Sequence, residues 1–412
     1  MKLKFKNIGR FVNDTELEIN GITVIAGKNG TGKSTINKLL YCLFNTFYYI
    51  DASVYADRMV SIRELLKLYF GGDKQKSEYD DMARHLVDKN TLSSVEELLE
   101  DLYSHGFEYT NLGKDEISQL YLGIKGIMDV SADEIMHSLL NKRIKAEFGE
   151  QLKHVNYESS ESYAELDIKD KKIKFIYKDK LELSDYVSLR KDIVYMDDLT
   201  SIENFQPSFK RSPYSHEESL HQKILNEYGL DQTAIGEILA SNRYKKILDK
   251  FNEANIGSLV IEGKRDFEYS NPGLESNIKV QNISAGTKVM LVFKRLLENA
   301  YLEENGTMVL DEPEVHMHPE WQYALAEIIV LLQVELGIHI VLSTHSADFI
   351  LFIEYFSKKY NIEDKCKYYL LEEDDGYSTK IIDVTEDNAP LYDSISTPYI
   401  RVTEEMSGDE VE

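Results

Sequence analysis

The chain has 412 residues, 42% hydrophobic and 29% charged, which excludes collagen, wholesale disorder and a disulfide-stapled miniprotein. Its 72 acids against 47 bases leave a net charge of −25. Such a field repels nucleic acid at long range, so any DNA or RNA contact must run through a local basic patch. Two cysteines, Cys42 and Cys366, are too few for a disulfide framework and fit a reducing compartment. The basic start MKLKFKNIGRF lacks the apolar run of a signal peptide. The most apolar long window, Ala324 to Leu342, is interrupted by Glu327, Gln333, Glu335 and Gly337, so it reads as buried helix then strand. A cytoplasmic location without membrane contact is the expectation.

In chain order, residues 2–7 and Glu16 to Asn20 alternate apolar and polar, the mark of short strands. Ile22 to Ala26 is a compact apolar run, as in a strand buried on both faces. Lys33 to Tyr49 reads as a deep helix. Helical periodicity then takes over, with Met59, Ile62, Leu65, Leu66 and Tyr69 on one face. Ser94 with Glu97, and Ser131 with Glu134, have capping-box spacing. Ala164, Leu166 and Ile168, then the turn Lys169 to Lys172, then Ile173, Phe175 and Tyr177, predict a hairpin. Residues 51–184 are thus expected to form an inserted, mostly helical lobe carrying that hairpin, between the two parts of an α/β domain at 1–50 and 185–400. Thr307 to Leu310 and Ile338 to Leu342 are short apolar runs separated by the helical stretch Trp321 to Leu336. Tyr368 to Leu371 and Thr379 to Val384 flank the turn Asp374-Asp375-Gly376. Residues 401–412, with Glu404, Glu405, Asp409, Glu410 and Glu412, read as a solvated acidic tail.

Gly27-Lys28-Asn29-Gly30-Thr31-Gly32-Lys33-Ser34-Thr35 matches G-x-x-x-x-G-K-[ST] between a predicted buried strand and a helix. Glycines there let backbone N–H groups converge on phosphate oxygens, and the helix adds its positive end. Asn29, Gly30, Thr31, Gly32, Lys33, Ser34 and Thr35 are the candidate nucleotide-binding residues. Lys33 is expected to reach the β/γ-phosphates, and Ser34 to ligate Mg²⁺. Gly257 to Lys264 imitates the motif, but its spacing is one residue too long and Arg265 replaces the hydroxyl.

Thr307 to Glu312 has the character of a Walker B strand, with Asp311 as the second metal ligand and Glu312 as the catalytic base for the attacking water. Asn282 to Lys288 opens a long helix, Lys288 to Ala300, so Ser284 and the Gly286 N–H stand where an anion can bind. Ser343-Thr344-His345 follows another buried strand and brings an imidazole beside the nucleotide.

These motifs, in this order, resemble an ABC-type P-loop ATPase head of the SMC/RecF/OLD group. Asn29 to Thr35 stands where that group has N-G-x-G-K-S-T, and Asp311 to Pro319 resembles its D-E-P-E-x-x-L-H-P. Ser284-Ala285-Gly286-Thr287 takes the place of the S-G-G-Q signature, and Ser343-Thr344-His345-Ser346 that of the switch histidine. The resemblance covers about residues 1–50 and 185–390. Ala285 and Thr287 depart from the signature, in a form similar to small bacterial ATPases near OLD proteins. The segment related to the Q-loop is expected at Tyr195 to Leu199.

The resemblance implies ATP and Mg²⁺ as cofactors, with catalysis by Lys33, Glu312 and His345. It also implies a homodimer or higher homo-oligomer in which Ser284 and Gly286 of one chain face the phosphate loop of the other. A head of this size without long coiled coils resembles the ATPase subunits of anti-phage systems (Septu, PARIS and some retron types), which act as sensor or scaffold for a separate nuclease. Glu372 to Asp375 is too near the end of the sequence to begin a Toprim nuclease module. Two other readings stand beside this: a RecF-like repair ATPase acting on DNA, and an ATP-dependent scaffold with negligible turnover. Lys142-Arg143-Ile144-Lys145 and Arg243-Tyr244-Lys245-Lys246 are the candidate nucleic-acid patches. His316, His318 and Glu314 form a weaker metal candidate, better explained by the family motif.

Overall fold

A computed structural model describes residues 1–71, 75–197, 212–225, 234–262 and 266–408. Strands β1 (Lys2–Lys6), β2 (Thr15–Glu18) and β3 (Ile22–Gly27) lead into helix α1 (Lys33–Phe47). Helices α2 (Ile50–Phe70), α3 (Lys76–Lys89), α4 (Val95–Ser104), α5 (Lys114–Asp129) and α6 (Ala132–Phe148) follow. Next come β4 (Ser162–Ile168), β5 (Lys171–Tyr177), β6 (Leu181–Asp185), β7 (Ile193–Met196), α7 (His216–Leu225) and α8 (Ala234–Glu253). The remainder is β8 (Ser258–Glu262), β9 (Asp266–Ser270), β10 (Ile278–Lys279), α9 (Ala285–Glu298), β11 (Thr307–Asp311), α10 (Pro319–Leu336), β12 (His339–Thr344), α11 (Ala347–Lys359), β13 (Cys366–Glu373), β14 (Thr379–Asp383) and α12 (Ala389–Gly408). The α/β class expected from the sequence is the class observed.

Among the described residues the strands form three sheets. The central one has the order β14-β13-β3-β12-β11-β7, parallel from β13 to β7, with β14 antiparallel at one edge. Its inner strands are mostly apolar because both faces are covered; every residue of β3 is buried. Ile22, Val24, Met308, Leu310, Ile340 and Leu342 join one core with Phe293 and Leu296 of α9, Ile329 and Leu332 of α10, and Phe349 of α11. Each such side chain contributes about 1.5–3 kcal/mol by leaving water.

A second sheet, β2-β1-β4-β5-β6, is antiparallel throughout. It corrects an expectation: the hairpin assigned to the inserted lobe pairs through β4 with β1, Leu3 opposite Leu166 and Phe5 opposite Ala164. The open edge of β4 needed a partner strand, and the N-terminal β1 supplies one. A third sheet, β10-β9-β8, contains Ser258 to Glu262 of the false phosphate motif; Gly263 to Arg265 lie outside the described residues.

The chain divides into two compact units, residues 46–140 and the remainder. The smaller is helical around Ile62, Leu66, Tyr79, Met82, Leu98, Leu120 and Ile124, and Met59, Leu65 and Tyr69 pack against that core. Ser131 and Glu134 form the reciprocal cap, Glu134 N–H to Ser131 Oγ at 3.2 Å and Ser131 N–H to Glu134 Oε2 at 3.0 Å. Ser94 caps α4 as expected, but Glu97 reaches back to the N–H of Ser93. The acidic segment begins differently from the expectation, since α12 carries helix past residue 401 to Gly408. Among the described residues no helix is long and apolar enough to cross a membrane.

Candidate nucleotide site

The parallel strands deliver the motifs to one edge. Gly27 ends β3, Asp311 ends β11, Thr344 ends β12 and Asp197 follows β7. The register sets Asp311 beside Ser343, and Ser343 beside Ile25, so the three loops leave the sheet at one level. A parallel α/β sheet offers its ligand crevice at these carboxyl ends.

There a cavity of about 760 Å³ is lined by Asn29, Gly30, Gly32, Lys33, Ser34 and Thr35 of the phosphate loop and by Asp311 and Glu312. Gly30 and Gly32 have φ of +78° and +97°, the left-handed region where glycine is at ease. A Cβ on Gly32 would also stand 2.8 Å from the Phe11 ring. Thr31 is buried and donates to the Lys28 carbonyl at 2.8 Å, so its hydroxyl shapes the loop instead of lining the cavity.

Lys33 is buried in the loop, only 5% exposed. Its Nζ donates to the carbonyls of Gly27 at 2.9 Å and Lys28 at 3.2 Å, and lies 3.4 Å from Glu312 Oε1. His345 Nδ1 lies 3.1 Å from the same oxygen. The Glu312 backbone N–H donates to Ser343 O at 2.8 Å, and its φ of +52° is unusual for a non-glycine residue. Two residues read from separate motifs, Lys33 and His345, therefore converge on the carboxylate of a third, Glu312.

Asp311 accepts from Tyr195 OH at 3.3 Å, with Ser34 and Asn37 close enough to favour its charged form. Burial raises its pKa above the usual aspartate value, and the charges of Glu312 and Asp197 add to the rise. A half-buried carboxylate beside a hydroxyl, with further acids close by, fits an oxygen-ligated divalent cation such as Mg²⁺.

Ser284 caps α9, accepting from Thr287 N–H at 3.2 Å, and its side chain is exposed. Ala285, Lys288 and Val289 line the cavity of their own chain, whereas Ser284 and Gly286 do not. A Cβ on Gly286 would meet Met317 Cγ at 3.2 Å and the His316 carbonyl at 3.5 Å. The signature helix thus rests on the loop that carries Glu312.

The His316/His318/Glu314 set does not converge. His318 caps α10 through Glu320 N–H, His316 lines the cavity, and Glu314 is buried with Thr344 donating to it. Burial lifts the Glu314 carboxyl to about 7. Among the described residues, Asp197, His216 and Glu217 are the group whose ligand atoms lie close enough for a metal. Of the basic stretches, Lys142 donates to Tyr214 OH at 3.2 Å and Lys246 pairs with Glu335 at 2.8 Å. Tyr244 is buried, and the Arg243 side chain lies outside the described residues.

Arg10 and Asp197 are among the lining residues that sequence reasoning did not single out. Arg10 donates to Gly30 O at 3.0 Å and to Glu373 Oε1 at 2.8 Å, tying the phosphate loop to the β13–β14 hairpin. A lone arginine after a strand carries no pattern that would single it out. Asp197 lies within the segment expected to be related to the Q-loop; Asp198 and Leu199 fall outside the described residues.

Comparison with solved structures returns an SMC head bound to the C-winged helix domain of ScpA, at 13% identity and a TM-score of 0.45, covering 94% of this chain and 98% of that one. The SMC head domain from Thermotoga maritima matches at 13% identity and a TM-score of 0.35, over 93% and 98%. The Smc head domain bound to the C-terminal domain of ScpA, derived from Pyrococcus furiosus, matches at 10% identity and a TM-score of 0.42, over 98% of each chain. No curated protein matches the chain. The model of the AAA ATPase domain family matches residues 1–350, most of the length, and on that match the chain belongs to this family and is an ATP-binding P-loop ATPase.

Proposed function

We propose that the protein is a Mg²⁺-dependent ABC-type ATPase whose heads close over ATP as a homodimer, and that it is the sensor or scaffold subunit of an anti-phage complex with a separate nuclease. The convergence of Lys33 and His345 on Glu312, beside Asp311 and Ser34, carries the catalytic reading. In it, Lys33 leaves the loop carbonyls for the γ-phosphate, Glu312 orients and deprotonates the attacking water, and His345 donates to the γ-phosphate. Mg²⁺, held by Ser34 and Asp311, neutralises phosphate charge when bound.

The exposed Ser284 end of α9 supports the dimer, because a helix N-terminus stabilises phosphate charge most strongly once a partner excludes water from it. Ser284→Arg should block hydrolysis by filling that end. Mixed with Lys33→Ala chains, it should recover about one working site per heterodimer, read as phosphate release. No recovery at any mixing ratio would refute composite sites.

The defence role rests on the family resemblance and on charge. A net charge of −25 favours docking of a basic protein and discourages idle nucleic-acid binding. Co-expression with adjacent open reading frames is expected to yield a complex that weakens with salt, while the chain alone leaves DNA and RNA uncut. Cleavage by the isolated chain, lost in its own active-site variants, would overturn the separate nuclease.

A further inference from the structure

One acid of the cavity wall, Asp197, lies in the segment expected to be related to the Q-loop, and the side chains behind it form an ordered chain of contacts. His216, the first residue of α7, is 5% exposed. Its Nδ1 lies 2.7 Å from Glu147 Oε2 and its Nε2 lies 2.7 Å from Asp197 Oδ2. A carboxylate accepts but does not donate, so both contacts are satisfied only when both ring nitrogens carry protons. The ring is then an imidazolium with no lone pair for a metal, which removes the Asp197/His216/Glu217 group as a cation site. Burial opposes that charge, but the two carboxylates overcome it and raise the pKa to about 9.

The cation is held from every side. Glu147 Oε1 also accepts the backbone N–H of His216 at 2.7 Å, which fixes both of its oxygens. The Tyr195 ring stacks on the imidazole at 4.1 Å with 25° between planes, and Tyr41 meets it edge-on at 5.9 Å. Tyr195 in turn donates to Asp311 at 3.3 Å. Asp197 stands among Asp311 and Glu312, whose charges disfavour a third carboxylate; the buried cation behind it offsets that repulsion.

We propose that His216, clamped by Glu147, is a positioning residue that fixes the Asp197 carboxylate in the nucleotide cavity for the hydrolysis step. This rests on the cavity being the site of ATP hydrolysis. Asp197 is the group that reaches the cavity; His216 and Glu147 act through it. A group needed for the chemical step lowers kcat when displaced and leaves ATP binding nearly intact.

The test is steady-state ATPase kinetics on the full chain, with melting temperatures as a fold control. His216→Gln and Asp197→Asn should each lower kcat at least about tenfold, with KM for ATP within about twofold, because small misplacements of a reacting group are costly. The double variant should lose no more than the worse single one, since both act through one contact. Wild-type kcat in either folded single variant, or losses that multiply in the double variant, would overturn the proposal. Should His216→Gln not fold, Asp197→Asn decides alone, because its side chain is 27% exposed and tolerates exchange. Lys33→Ala is assayed alongside. If it still binds and hydrolyses ATP, the cavity is not the nucleotide site and both readings fall. If it is inactive while the His216 and Asp197 variants keep full kcat, only the positioning role is overturned.

Discussion

Glu312→Gln is expected to lower ATP turnover by at least about a hundredfold while ATP-bound dimers accumulate, the scale of a lost general base. The carboxylate stands 3.1 Å from His345 Nδ1 and 3.4 Å from Lys33 Nζ, at the carboxyl end of a buried parallel strand. Glutamine keeps the volume and can still accept from either neighbour, so the loop geometry should survive. What disappears is the basicity that takes a proton from water. The loop itself is held by the Glu312 N–H bond to Ser343 O at 2.8 Å, which the exchange does not touch. Because Lys33 no longer faces a carboxylate, its charge becomes fully available to phosphate, and ATP affinity should hold or rise. Phosphate release and light scattering with ATP read the two effects together. Unchanged turnover would move the base to another acid of the cavity, and monomers that stay monomers with ATP would count against closure over nucleotide.

How much of this site could be read in advance depends on whether its parts are contiguous in sequence. The phosphate loop is legible because its chemistry needs successive backbone N–H groups, which forces Gly30, Gly32 and Lys33 into one short word. Asp311 and Glu312 are legible for a similar reason, a buried strand ending in paired acids. Arg10, Glu147, Asp197 and His216 carry no such word. The last three come from separate points and meet only because β7 lies beside β11 in the sheet and α7 begins against the end of α6. The β4–β5 hairpin shows the same limit at the level of the fold. Alternation revealed its strands, but the pairing of Leu166 with Leu3 spans most of the N-terminal half and no local pattern encodes it. The acids at 404 and 405 suggested a solvated tail, yet glutamate is a good helix former and α12 runs on through them.

Lys33→Ala is expected to weaken ATP binding at least about a hundredfold, or about 2.7 kcal/mol, the loss of a charge-assisted contact to the β/γ-phosphates. The burial of Lys33 changes what else the exchange should do. Without nucleotide, its ammonium satisfies the carbonyls of Gly27 and Lys28 and faces Glu312. Alanine takes the ammonium from the Gly27 carbonyl, while the Lys28 carbonyl keeps the Thr31 hydroxyl, and a buried acceptor left unpaired costs about 1–3 kcal/mol. The melting temperature should therefore fall modestly, not stay constant as it would for a lysine pointing into solvent. Glu312 loses its cation but is 31% exposed in its side chain, so water can solvate it and the loop need not collapse. Lys33→Met separates the two effects: its unbranched chain refills the space of the stem but brings no charge. Both variants should lose ATP binding in calorimetry to the same extent, with Lys33→Met melting nearer to wild type. Tight ATP binding by either one, in a chain that remains folded, would place the nucleotide outside this loop. Loss of binding in Lys33→Ala with full binding in Lys33→Met would instead assign the role of Lys33 to filling space and remove its charge from the mechanism.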